Sequence, residues 1–333
     1  EVDNFTGAGA NEVVLADRVV GLKSFRGDCI VFCRNSIYKF VNMEDKANAA
    51  IVPITKNVGC VDGNSIQEIG GDLVFLSPDG VRTLAGTSRI GDVELASVSR
   101  NIQRLISNIV DNINVLTISS VVLRSKSQYR LYYNNPSADA SFSRGIIGTF
   151  TGQGFEWSET LGIEAISVDS GFLANGLEAI VHGDTSGYVY NHDKGVTFRH
   201  GGAAANIDAV YETPYLDFGD MGTRKTLQYA KISVTPDRES GGFSDPTLKV
   251  QYDFQDVNVQ QPPIYQLPTI RAGSSFNAAL FNTAYFGSTD NPLIRQPIEG
   301  SCYTSNFKIA SNDQEASYTI NGIYINYVPA GRR

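Results

Sequence analysis

Short apolar runs broken by polar turns set the rhythm of this chain. Gly27-Asp28 leads into Cys29-Ile30-Val31-Phe32-Cys33, which stops at Arg34-Asn35-Ser36 and resumes as Ile37-Tyr38-Lys39-Phe40. Gly70-Gly71-Asp72 leads into Leu73-Val74-Phe75-Leu76, then Ser77-Pro78-Asp79-Gly80, then Val81-Arg82-Thr83-Leu84. Both read as strand–turn–strand hairpins, with Gly, Asn, Asp and Pro where the backbone must reverse. They lie about 43 residues apart, the spacing of one blade in a radial repeat. Tyr129-Arg130-Leu131-Tyr132-Tyr133 with Gly145 to Phe150 is a weaker copy, and Leu177 to His182 with Tyr188-Val189-Tyr190 follows about 40 residues later. At least four blade-like units are expected, and such units bury their faces only by stacking on neighbours.

One stretch breaks the rhythm. Across 96–114, Val98, Ile102, Leu105, Ile106, Ile109, Val110 and Ile113 fall on one helical stripe. This predicts an amphipathic helix with Ser97 or Ser99 at its start, packed on the sheets. From residue 206 the strands lengthen and the blade spacing is lost. Gln228 to Thr235, Thr247 to Phe254 and Tyr318 to Tyr327 alternate over long spans, which suggests a β-sandwich. The expected fold is therefore all-β: a β-propeller-like region over 1–205 and a β-sandwich-like domain over 206–333. Gln260-Gln261-Pro262-Pro263 and its surroundings add a long loop or arm near 258–290.

Composition sharpens this picture. Apolar residues make up 42% and charged residues 19% of the 333, enough for a sizeable core and too little charge for disorder. The net charge of −8 argues against a surface that grips nucleic acid, which needs basic patches to neutralise phosphates. Cys29, Cys33, Cys60 and Cys302 fit no zinc spacing and no disulfide framework, and read as small buried side chains. No apolar run approaches the roughly 18 residues that span a bilayer.

Tests for chemistry return little. There is no phosphate-binding loop with its Lys, no nucleophile elbow and no paired-His zinc helix. His182 with Asp184 and His192 with Asp193 have the residue types of a metal cluster but sit in turn segments, so no metal and no other cofactor is expected. Ser77-Pro78-Asp79-Gly80 is similar to the Asp-box turn of sialidase propellers, yet its Asp and Gly are adjacent and Leu84 stands in the final Trp's place. Glu156, Glu159 and Glu164 answer a glycosidase's need for two acids by residue type alone, and Trp157 reads as core. Arg224-Lys225 reads as a surface pair making salt bridges. The chain is expected not to be an enzyme.

Val20-Gly21-Leu22 through Phe40, with Gly59-Cys60-Val61 through Leu84, resembles the propeller repeats of tailed-phage tail proteins. The relatives are the tail nozzle and packaged-DNA stabilisation proteins of short-tailed phages. Tyr188 to Gly195, Tyr211 to Asp220, Thr223-Arg224-Lys225 and Ile320 to Tyr327 with Gly331-Arg332-Arg333 are similar to the later parts of that family. The resemblance implies a structural virion component, assembled in the bacterial host cytoplasm as a homo-oligomer, a hexameric ring. It implies other tail proteins (adaptor, fibre or needle) as neighbours, and genomic DNA passing through a channel without tight binding. An acidic wall would repel phosphates, and Asp79, Asp92, Glu94 and Asp184 are the candidate channel-lining acids. The alternative is a carbohydrate- or receptor-binding β protein of a virion, since Tyr-rich sheet faces suit sugars.

Overall fold

The structure is a computed structural model that describes residues 14–15, 17–42, 48–85, 97–135, 144–152, 154–194, 198–236, 243–271, 293–314 and 318–332. Of these, 58% lie in strands and 9% in helical turns. Among the described residues the chain is thus mostly β with one short helix, as its apolar pattern requires. It divides into two compact units, Glu1–Asp193 and Lys194–Arg333.

The first unit is built from four small antiparallel sheets, each made of consecutive strands. Sheet 1 holds β1 (Val19–Phe25), β2 (Asp28–Cys33), β3 (Ile37–Val41) and β4 (Ala50–Thr55). Sheet 2 holds β5 (Gln67–Ile69), β6 (Asp72–Ser77) and β7 (Gly80–Thr83). After helix α1 (Gln103–Asp111), sheet 3 holds β8 (Thr117–Leu123), β9 (Gln128–Asn134), β10 (Arg144–Thr151) and β11 (Gly154–Leu161). Sheet 4 holds β12 (Ser167–Phe172), β13 (Glu178–Gly183) and β14 (Val189–Asn191). The β1–β2 reversal shows how turn chemistry sets register. Phe25 pairs Asp28, and the two residues between them, Arg26 and Gly27, both have positive φ. That is the geometry whose twist matches flanking strands.

The sheets stack in chain order because neighbouring side chains of a strand point to opposite faces. In β6, Leu73 and Phe75 join Phe25, Ile30, Phe32 and Ile37 of sheet 1 in one core, with the Phe32 and Phe75 rings 5.1 Å apart. Val74 and Leu76 point the other way, into a core shared with α1 and with Ile118, Val122, Tyr129 and Leu131 of sheet 3. In sheet 3, Val121, Leu123 and Tyr132 turn their backs on that core and meet Ala165 and Ile180 of the sheet 4 region. Among the described residues these sheets form no closed barrel or propeller.

The helix is shorter than 96–114. It runs over Gln103–Asp111, after a 3-10 turn at Arg100–Ile102, and Ser99 makes no capping bond. The serines are spent elsewhere: Ser99 Oγ accepts from Val81 N at 2.9 Å, and Ser97 bridges to Arg82 across the edge of sheet 2. Gly80 permits this close approach. Its φ is 151°, and a Cβ there would overlap Ser97 Oγ. The apolar stripe itself packs as its spacing demands, with Ile106 and Ile109 fully buried against sheets 2 and 3.

The second unit opens with the hairpin β15 (Phe198–His200) and β16 (Ala203–Ala205). It then runs through β17 (Ile207–Glu212), β18 (Thr223–Pro236), β19 (Phe243–Ser244), β20 (Thr247–Tyr252), β21 (Tyr265–Gln266) and β22 (Ile270–Arg271). Beyond residue 292 follow β23 (Leu293–Pro297), β24 (Ser301–Cys302), β25 (Ser305–Asp313) and β26 (Tyr318–Arg332). One sheet has the order β17-β25-β20-β21. The other is centred on β18, which pairs β23 and β24 on one edge and β26 on the other. Leu227, Ala230, Ile232 and Val234 of β18 share one core with Leu248, Val250, Phe307 and Ile309. The buried positions change from odd to even between Leu227 and Ala230, where the β18–β26 register shifts, as a bulge does. Of the expected 258–290 arm, residues 258–271 contain β21 and β22, paired to β20 and β19; the rest lies outside the described residues.

Candidate functional site

The charged turns of the first unit hold most of its chemistry. Asp79 sits in the β6–β7 turn, where its Oδ1 accepts from Arg82 Nε at 2.8 Å and its Oδ2 pairs with Nη2. Arg82 is only 2% exposed, so the carboxylate neutralises a buried cation. Burial pushes the Asp79 carboxyl up, but Arg82's hydrogen bond and charge outweigh it and hold the group below its ordinary value. Asp184 occupies the β13–β14 turn. Its Oδ1 accepts from Tyr188 N at 2.8 Å and its Oδ2 from the Tyr190 hydroxyl at 3.2 Å. Asp79 and Asp184 thus belong to turns of two different sheets. Asp92 and Glu94 lie outside the described residues.

His182 and His192, read from the sequence as turn residues, are brought together. His182 Nδ1 lies 2.5 Å from His192 Nε2, and the rings meet edge to face. His182 also stacks on Tyr190, its cross-strand partner. On the far side, the Tyr132 hydroxyl of β9 is 3.4 Å from His192 Nδ1. Burial is the first cause that lowers both imidazoles, and the neighbouring His182 then Arg130 push His192 further, to about 4. The aspartates beside these histidines face other partners. Asp193 Oδ2 accepts from Arg130 Nη2 at 2.7 Å and from Lys126 Nζ at 2.9 Å. Burial raises the Asp193 carboxyl, yet the two cations bring it down to about 2. Among the described residues no three His, Cys, Asp or Glu side chains converge as metal ligands.

Of the acids considered for glycoside chemistry, Glu156 is exposed, and Glu159 and Glu164 serve structural contacts. Glu159 pairs with Arg144 at 2.8 Å and accepts from the Tyr133 hydroxyl at 3.2 Å. Glu164 is buried and accepts from Thr185 Oγ1. Trp157 is half-buried, its Nε1 donating to Val98 O at 2.8 Å, and its ring lies over Gly148, its partner on β10. Cys33, Cys60 and Cys302 are buried, Cys29 is half-buried and all four thiols are free; burial pushes Cys60 up to about 12.

Lys225 corrects the reading of a surface pair. It is 2% exposed, and its Nζ donates to the carbonyls of Asp220 and of Tyr303, the latter at 2.9 Å. Arg130, like Arg82, is a buried cation that sequence reasoning passed over. Its signal was a charged residue inside the apolar run Tyr129-Arg130-Leu131-Tyr132-Tyr133, since a charge on a buried strand demands a partner.

Net charge is unequal between the units. Residues 1–193 carry 22 acidic and 15 basic side chains, and residues 194–333 carry 13 and 12, so the acidity belongs almost wholly to the first. No protein-family model matches the chain, and no curated protein matches it significantly. No helix of the described residues is long and apolar enough to cross a membrane.

Proposed function

We propose that this chain is a structural, non-enzymatic component of a bacteriophage virion. In this reading it forms a tail nozzle or head-to-tail ring that supports the DNA channel, retains packaged DNA and lets it pass during ejection. The observation that carries it is the stack of four meander sheets in chain order, with sheets 2 and 3 buried on both faces. Such a stack supports a propeller-like reading of this region and accords with the resemblance of Val20 to Leu84 to phage tail repeats. The two sheets of the second unit around one core accord with a sandwich-like domain.

Assembly into a ring draws support from the open end of the stack. Val181 and Val189 share the face of sheet 4 opposite Ile180 and are exposed, Val189 to 75%. Apolar groups gathered on a surface mark contact sites more often than isolated ones do. The acidity of the first unit supplies a wall that repels phosphates. Within it Asp184 is the stronger lumen candidate, because its two partners are neutral donors, whereas Asp79 is offset by Arg82.

Light scattering and electron microscopy of the purified chain, and of virions that contain it, test the proposal. The expected particle is a ring, hexameric, with a central channel lined by acids. A chain that stays monomeric in the virion, or a pore lined mainly by Lys and Arg, overturns it. One feature favours the second reading, a glycan- or receptor-binding protein: a cleft of about 260 Å3 in the second unit lined by Tyr211, Thr213, Leu216, Ile320, Asn321 and Ile323. Glycan-array binding by a non-ring particle, abolished by Tyr211→Ala, is the outcome that reading requires.

A further inference from the structure

The three interfaces between successive sheets of the first unit are not alike. Sheets 1 and 2 bury ten apolar side chains between them, and sheets 2 and 3 with α1 bury eleven. Among the described residues, sheets 3 and 4 bury five: Val121, Leu123, Tyr132, Ala165 and Ile180. Partly buried Ile163 and Val168 pack against them, and polar contacts complete the interface. The Glu178 carboxylate at the start of β13 accepts from the backbone N–H groups of Arg124 at 3.0 Å and Ser125 at 2.8 Å. Asp193 holds Arg130 and Lys126. The chain Tyr132 Oη, His192, His182 lies between them, with one histidine on β13 and the other just past β14.

We propose that the His182–His192 pair is an acid-sensitive latch: at neutral pH it fastens sheet 4 to sheet 3, and proton uptake releases sheet 4 while sheets 1 to 3 stay packed.

The hydrogen bond itself sets the limit. With both rings neutral, Tyr132 donates to His192 Nδ1, and His192 Nε2–H donates to His182 Nδ1. A first proton on His182 is accommodated by reversing the chain, so that His182 Nδ1–H donates to His192 Nε2 and His192 Nδ1–H to Tyr132. A second proton puts N–H groups on both facing nitrogens, 2.5 Å apart, and adds a second like charge. The pair therefore accepts fewer protons folded than apart. Every charged or titratable neighbour has a fixed part in this. From sheet 3, Arg130 opposes protonation of His192; Lys126 faces Asp193. Asp193 favours the cation on His192, and Asp184 and Glu164 favour it on His182. Those carboxylates do not win, because Asp193 is engaged by two cations, Asp184 by two neutral donors and Glu164 by Thr185. Tyr190 completes the enclosure by stacking on His182.

The sign follows from linkage. An imidazole lowered in the folded state costs nothing above its ordinary value near 6.5, and stability is lost as pH falls from there toward the folded value. With His192 at about 4, opening of sheet 4 rises roughly 30-fold between pH 7.5 and pH 5.0. Glu178 lies below its ordinary carboxylate value, since the backbone donors outweigh burial, and Asp193 is lowered to about 2, so neither releases in that window.

Hydrogen exchange of the full chain, corrected for intrinsic rates, tests the latch at the two pH values. Amides of β13 and of His192 are expected to gain about 30-fold in opening at pH 5.0, while amides of β6 and β9 stay within twofold. In a His182→Gln, His192→Gln variant the sheet 4 gain should vanish. Should that variant not fold, imidazole titration of the wild-type chain by NMR decides alone. A His192 titrating below 5 sustains the latch; both histidines titrating independently near 6.5 overturn it. Equal exchange gains in all sheets, or stoichiometric Zn2+ uptake by the pair that removes the pH dependence, also overturn it.

Discussion

Lys225 shows how much a single side chain can depend on what its strand does in three dimensions. Next to Arg224 it has the look of a solvated basic pair, yet adjacent residues on a strand face opposite ways. Arg224 is left outside and Lys225 goes in, 2% exposed. Its ammonium donates to two carbonyls, that of Tyr303 and that of Asp220, which also accepts from Thr223 N. Lys225→Met keeps the stem's packing and removes both bonds. The expected loss is about 1.5 to 3 kcal/mol, the range for hydrogen bonds made by a charged donor. Urea denaturation should show it as a lower midpoint at unchanged slope, and a midpoint within error of wild type would disprove this account of Lys225. The direction of burial was open in the sequence because Thr223 to Tyr229 has no clean alternation, and the bulge after Leu227 explains why. The histidines hid for a different reason. Ten residues separate them in the chain, and only the His182–Tyr190 register of β13 with β14 brings them within one hydrogen bond.

At the scale of elements the apolar pattern was a better guide. The β2–β3 and β6–β7 hairpins lie where Cys29 to Phe40 and Leu73 to Leu84 place them, since turn chemistry and period-2 alternation are local properties. The stripe from Val98 to Ile113 also gave the buried face of α1 correctly, but not its length. Helical periodicity continues through Val98, where backbone pairing to Val81 takes over; no periodicity reports which of two hydrogen-bonding schemes wins. What the stripe does is fill the space between sheets 2 and 3. Ile109, 1% exposed, touches that core from the second buried turn of the helix. Ile109→Ala should cost about 2 to 5 kcal/mol through lost transfer energy and a residual cavity. Val110→Ala, on the partly exposed flank, should cost clearly less. Thermal unfolding of the two variants side by side checks the ordering, and equal losses would mean the helix does not pack as described.

The whole molecule is two compact units rather than one extended repeat, and each unit carries its own buried centre. The change of strand length after residue 206 was visible in the sequence because long alternating strands need long alternating partners. The pairing of β18 with the distant β26 was not, since 82 positions separate the strands' facing ends, Pro236 and Tyr318, and nothing local encodes so remote a partner. Among the described residues the second unit's core cluster holds fourteen buried apolar residues, most from strands of the two large sheets, and all lie between Leu227 and Ile309. A chain of this size buries over three-fifths of the surface exposed when unfolded, enough for a cooperative transition without help. Residues 194–333 expressed alone should therefore fold. The expected result is a strand-type circular dichroism spectrum and one sigmoidal urea transition, with Ile232→Ala lowering the midpoint by the equivalent of about 2 to 5 kcal/mol. The nearly balanced charge of this unit, 13 acids against 12 bases, predicts poorer solubility than the intact chain, because net charge far from zero keeps molecules apart. Measurement at low protein concentration separates that effect from misfolding. A featureless spectrum and a non-cooperative urea curve for dilute 194–333 would mean that its core is not self-sufficient and that the two units fold as one.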